Sequence, residues 1–164
     1  MQTSPVIQPD IAKAFSVKSD QVFHRANNQV YAIVGCNREL GIVSDVWFDR
    51  YDRPDEFRHV LRHVLQLFQT GSFQYWLADL RFMLSDFSHS EDWLMNEIMP
   101  AAFSAGLERE AVVLPDASVK VEGIDTYASA SRTVKALANG RVRAFSDVAL
   151  AKKWLLEGKI PERD

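Results

Sequence analysis

The stretch from 41 to 80 limits the fold more than any other part of the chain. "GIVSDVWFD" at 41–49 and "FQYWLADL" at 73–80 are apolar and aromatic over lengths too short for independent helices, which suits buried strands. Between them Phe57, Val60, Leu61, Val64, Leu65 and Phe68 recur at steps of three and four, giving one apolar helical stripe, while Arg58, His59, Arg62, His63 and Gln66 point elsewhere. Pro54 suits the first turn, where its missing amide costs nothing. Asp55 and Glu56 favour the positive end of the helix dipole, and Gly71 ends the helix. A strand, a helix and a strand in that order require a crossover, so the two strands are expected to be parallel with a right-handed connection.

The flanking segments extend this unit in both directions. "QVFHRA" and "VYAIVG" enclose Asn27-Asn28, residues that tolerate the positive φ of a tight turn, and predict a hairpin ahead of "GIVSDVWFD". After "FQYWLADL", Ser88-His89-Ser90-Glu91 fits the capping box S-x-x-E and predicts a helix start. Trp93, Leu94, Ile98, Ala101 and Ala102 supply that helix's inner face, Pro100 predicts a kink near Asn96, and Gly106 a left-handed stop. "EAVVLP" reads as a strand, "DTYASASRTVKALANG" as a helix and "RVRAF" as a last strand. "SDVALAKKWLLEG" reads as a last helix, with Ser146 as cap and Leu150, Ala151, Trp154 and Leu155 inward. Three strands followed by four helices alternating with three strands predict an α/β fold: a mixed sheet, antiparallel at its N-terminal strands and parallel through its βαβ second half.

A chain of 164 residues matches a single domain. Residues 1–19, with Pro5 and Pro9, read as a tail or one short docked turn, 20–157 as the domain and 158–164 as a C-terminal tail. The formal charge of −3 offers no cationic field to a phosphate backbone or an anionic membrane, so neither nucleic acid nor membrane is an expected partner. No apolar run approaches the length of a membrane span, and no leader pattern opens the chain. Cys36 is the only cysteine, which excludes an intramolecular disulfide and multi-thiolate zinc sites and fits a cytoplasmic location.

With that element order, the chain resembles the STAS superfamily, in particular its anti-sigma-factor-antagonist-like branch of small bacterial proteins. The resemblance covers about residues 20–157 and rests on "WLADLR" as the central strand, on "EDWLMNEIMPAAFSAGLEREAVVLP" as a helix-strand unit and on "RAFSDVALAKKWL" at the end. It implies a STAS-like sheet and a regulatory, protein-binding role. In regulatory members an acidic or amide residue on the central strand is followed nine residues later by a phosphorylatable serine. Counting from Asp79 lands on Ser88. Here Phe87 stands where that motif has aspartate, and His89-Ser90 where it has Ser-Gly.

The candidate site residues lie around that position. Ser88 reads first as a helix cap and second as a phosphoacceptor, since phosphate is tolerated at a helix N-terminus. Asp79 and Arg81 share a strand face and read as an ion pair. At the carboxyl ends of parallel strands they could instead line a ligand crevice with His89 and Asp116, and with Ser118 beside them. His59 and His63 are four apart, but "HVLRH" lacks the glutamate of H-E-x-x-H, so a solvated face is expected and no metal. Cys36 has Arg38 nearby but no identifiable base, and the four tryptophans read as core. No cofactor motif can be assembled. The function expected is a non-catalytic STAS-like module that engages an unknown protein partner or small ligand and could form a homodimer. The alternative is a small enzyme using Asp79, Arg81, His89 and Asp116 at the strand ends. The two differ in whether those groups converge in a pocket.

Overall fold

The computed structural model describes residues 9–115, 126–136 and 140–157. The chain begins with helix α1 (Pro9–Phe15) and the hairpin β1 (Lys18–His24) and β2 (Val30–Asn37), whose turn places Asn28 at φ 67°. β3 (Ile42–Asp49) runs antiparallel to β2, with Ala32 opposite Trp47. From β3 onward the strands are parallel and helices fill the connections. α2 (Pro54–Gln69) leads to β4 (Tyr75–Met83), and α3 (Glu91–Trp93) and α4 (Met99–Ser104) lead to β5 (Arg109–Val113). α5 (Thr126–Ala136) precedes β6 (Val142–Phe145), and α6 (Val148–Leu155) follows it. The six strands lie in the sheet in chain order. The mixed α/β sheet expected from the element order, antiparallel first and parallel afterwards, is the observed one.

Strand alternation sends successive side chains to opposite faces, and both faces are covered. On one side Val43, Trp47, Trp76, Ala78 and Val112 pack against Phe57, Val60, Leu61 and Val64 of α2, with Leu94, Ile98 and Ala130 from the later helical segments. On the other, Ile33, Val46, Leu77, Ala111 and Val113 meet Ile11 and Phe15 of α1 and Ala151 and Leu155 of α6. The predicted α2 stripe is buried apart from Leu65, which is half-buried, and Leu67 joins it. Glu56 Oε1 accepts from the amides of Asp52 and Arg53 and fixes the entry to α2. Gly41 (φ +72°) is required where β3 begins. Its carbonyl accepts from both Gln74 and Tyr75, and a Cβ there would fall 2.4 Å from Gln74 Oε1.

Several local expectations change. The segment read as a tail or one docked turn is a docked helix over Pro9–Phe15, with Ile11 and Phe15 at 0% exposure, because these two residues lie four apart on one helical face. β4 continues to Met83. Between Asp79 and Phe82 it carries one residue more than β3 does between Val46 and Phe48, a bulge that returns Met83 to the α2 side.

The S-x-x-E capping box does not form. Ser88 Oγ donates to Asp86 Oδ1 at 3.0 Å, the carboxylate of Glu91 pairs with Arg132, and a 3-10 turn at Ser88–Ser90 precedes α3. Ahead of Pro100 the helix loosens into a π turn over Leu94–Ile98, with the Met99 amide reaching back to the Leu94 carbonyl; the wider turn absorbs the predicted kink. The cap of α6 is Asp147, not Ser146: its Oδ1 accepts from the Leu150 amide at 3.0 Å, and Leu150 is exposed. The predicted C-terminal tail lies outside the described residues.

Candidate functional site

The residues singled out from sequence lie on opposite faces of the sheet. Asp79 projects from β4 toward α1 and is fully buried. Arg81, next on that side, grips it bidentately, Nε on Oδ1 and Nη2 on Oδ2, both at 2.9 Å. The same guanidinium reaches Asp10 of α1, with Nη1 donating to Oδ2 at 2.6 Å and Nη2 to Oδ1 at 3.1 Å. One cation thus joins two carboxylates, one buried on the sheet and one on the helix that covers it. Hydrogen bonding to Arg81 holds the Asp10 carboxyl below the usual range, and the hydrogen bonds that Arg81 donates to Asp79 raise its own pKa further. This is a structural clamp, with four of the five guanidinium donors engaged by the two carboxylates.

His89 lies across the sheet, beside α2. Its ring packs edge-on against Tyr51 and Phe57. Tyr51 Oη donates to the Asp86 carbonyl at 2.7 Å and so accepts from His89 Nε2 at 2.8 Å. His89 Nδ1 then accepts from Ser90 Oγ at 2.6 Å, and Ser90 Oγ accepts from Arg58 Nε at 3.0 Å. A neutral imidazole with its proton on Nε2 satisfies all of these contacts, and desolvation lowers the His89 pKa in the same sense. Ser88 is exposed beside it, bonded to Asp86. Asp116 and Ser118 lie outside the described residues. Asp79 and Arg81 on one face and His89 on the other do not converge.

The other candidates have structural partners. His63 Nε2 bonds Asp20 at 2.8 Å, and His59 and His63 both meet Phe23 edge-on. Among the described residues no group of three or more metal-binding side chains is assembled. Cys36 is half-buried, and burial pushes its thiol up. Trp47 and Trp76 are core residues, whereas Trp93 and Trp154 are half-buried under arginines.

A different pair of acids occupies the α2 side. Asp45 of β3 and Glu110 of β5 flank β4: Asp45 is in register with Ala78, and Glu110 with Trp76 in the neighbouring row of the same face. With Phe57, Phe87 and Ala130 they line a partly open chamber, which leaves about 40 Å3 to the centre of a water molecule. Asp45 is 2% exposed and accepts two indole protons, from Trp76 Nε1 at 2.6 Å and Trp47 Nε1 at 2.7 Å. Burial pushes its carboxyl up to about 6 against that double stabilisation.

Glu110 is 6% exposed, and among the described residues its carboxyl has no hydrogen-bond or salt-bridge partner. Thr133, also on the wall, spends its proton on the Ser129 carbonyl. Desolvation, reinforced by the charge of Asp45, raises Glu110 well above the ordinary glutamate range and so favours the neutral acid.

Neither residue was singled out from sequence. The available signal was an acid in strand phase with buried aromatics: Val43, Asp45 and Trp47 alternate onto one face of "GIVSDVWFD". Among the described residues no helix is long and apolar enough to cross a membrane. Comparison with known protein families, with characterised proteins and with solved structures gave no match.

Proposed function

We propose that the chain is a non-catalytic, STAS-like regulatory module whose input is a small ligand held in the chamber between the sheet and α2. The observation that supports this reading is Glu110: a carboxyl at 6% exposure, facing an apolar chamber without a partner. That carboxyl makes no hydrogen bond within the described residues and keeps a little contact with water on the open side of the chamber, so a ligand entering there meets an unengaged polar group among apolar walls. The enzyme reading draws less support. It relied on Asp79, Arg81, His89 and Asp116, of which the first two neutralise each other and the third lies across the sheet.

Trp47 and Trp76 touch the chamber and report its contents. Titration of the purified chain with a library of small organic molecules should give a saturable change in tryptophan emission. Ala78→Leu and Ala130→Leu each place a side chain in the chamber and should abolish that change while leaving the circular-dichroism spectrum intact. A response that persists unchanged in both filled variants would overturn the reading.

A further inference from the structure

The chemistry of the chamber narrows the class of ligand it can take, given that the chamber is a ligand site as proposed above. Its wall carries two acids, and among the described residues lining it there is no lysine, arginine or histidine. Asp45 is held by two indole N–H groups, dipoles that stabilise a carboxylate without neutralising it. Buried charge in proteins is ordinarily paired with an opposite one, and here no opposite charge is supplied by the described wall. Glu110 adds a second carboxyl with both oxygens unengaged. Apart from Thr133, whose hydroxyl is spent on the Ser129 carbonyl, the rest of the chamber is aromatic and aliphatic. Phe57 and Phe87 stack with centroids 5.0 Å apart, and Phe57 also stacks on Trp47 at 5.3 Å, so packed aromatic rings line the space beside the acids.

We infer that the chamber between Asp45 and Glu110 is a binding site for a small alkylammonium ion carrying at least one N–H. The incoming cation draws Glu110 into its ionised form, the displaced proton passing to solvent; the ammonium N–H donates to that carboxylate, its charge also offsets Asp45, and its alkyl groups lie against Trp47, Trp76 and Phe57. A neutral ligand of the same shape gains only the apolar contact and leaves the acids as they were. About 40 Å3 open to a water's centre is room for a small cation such as isopropylammonium or trimethylammonium.

The test is calorimetric titration of the full chain with isopropylammonium and trimethylammonium chlorides, with isopropanol as the neutral analogue and sodium chloride as the salt control. The expected result is saturable binding of one cation per chain, at least tenfold tighter than isopropanol. It should weaken at least tenfold in Glu110→Gln and vanish in Ala78→Leu. If isopropanol binds as tightly as the cations, the ammonium assignment fails while the ligand chamber stands. If no probe binds and a broader small-molecule library also gives no response that Ala78→Leu removes, both fail. Equal cation binding by Glu110→Gln and the parent chain would also overturn the assignment, because that substitution retains shape and removes only the carboxyl.

Discussion

At the scale of single residues, Glu110 is the group most at odds with its surroundings. It sits on β5 where the sheet is covered, beside Trp76 and Val142, positions that an apolar side chain would fill at no electrostatic cost. Its raised pKa carries a definite pH dependence. An acid whose folded pKa lies above its unfolded value of 4.5 binds its proton more tightly when folded, so its contribution is complete below pH 4.5 and is lost as pH rises toward the folded pKa. Glutamine has the same shape and no proton to lose. Glu110→Gln should therefore match the parent in urea denaturation at pH 4 and exceed it at pH 8, the gap widening steadily between. Asp45 drifts in the same direction from 3.8 to about 6, and being present in both proteins it cancels to first order. Equal stability across the whole range would show that Glu110 is solvated or paired in solution.

Among the elements, helices and strands differ in how openly their sequences declare them. α2 was legible because a helix writes its buried face locally: Phe57, Val60, Leu61, Val64 and Phe68 identify the stripe without knowledge of anything else. The parallel half of the sheet followed from order alone. What stayed hidden depends on partners far along the chain. The β4 bulge exists only relative to β3, and the chamber requires Asp45 and Glu110 to be brought to the two sides of β4 from 65 positions apart. The ends of elements differ from the local expectation for a related reason: Ser88 and Ser146 are good caps in isolation, but Ser88 turns its hydroxyl to Asp86 and the helix start there has no side-chain cap, while Ser146 loses to Asp147. For α6 this is directly measurable. Asp147→Ala removes the acceptor of the Leu150 amide and should lower stability by about 1 kcal/mol in chemical denaturation, whereas Ser146→Ala should stay within about 0.5 kcal/mol. The reverse order would restore Ser146 as the cap.

For the molecule as a whole, the clamp at Asp79 decides whether the second face of the sheet stays closed. α1 is only seven residues long and would not persist by itself. It is held by Ile11 and Phe15, both fully buried, and by Asp10 reaching Arg81. The two ion pairs on that arginine differ in environment, and so in worth. Asp10 is about half exposed, at 49%, where water competes for it; Asp79 is at 0% and has no water to fall back on. Asp10→Ala should thus cost roughly 1 kcal/mol or less, with that cost shrinking in high salt. Arg81→Ala strands the Asp79 carboxylate in an apolar layer and should cost about 3–5 kcal/mol with little salt dependence. Because Arg81 also holds α1, limited proteolysis should cut the segment before β1 sooner in Arg81→Ala than in the parent chain. The double variant Asp79→Asn with Arg81→Ala should recover much of the loss, since an amide at position 79 no longer demands a counterion. If Arg81→Ala proves no more costly than Asp10→Ala, Asp79 is reached by solvent, and the docking of α1 rests on its two apolar side chains alone.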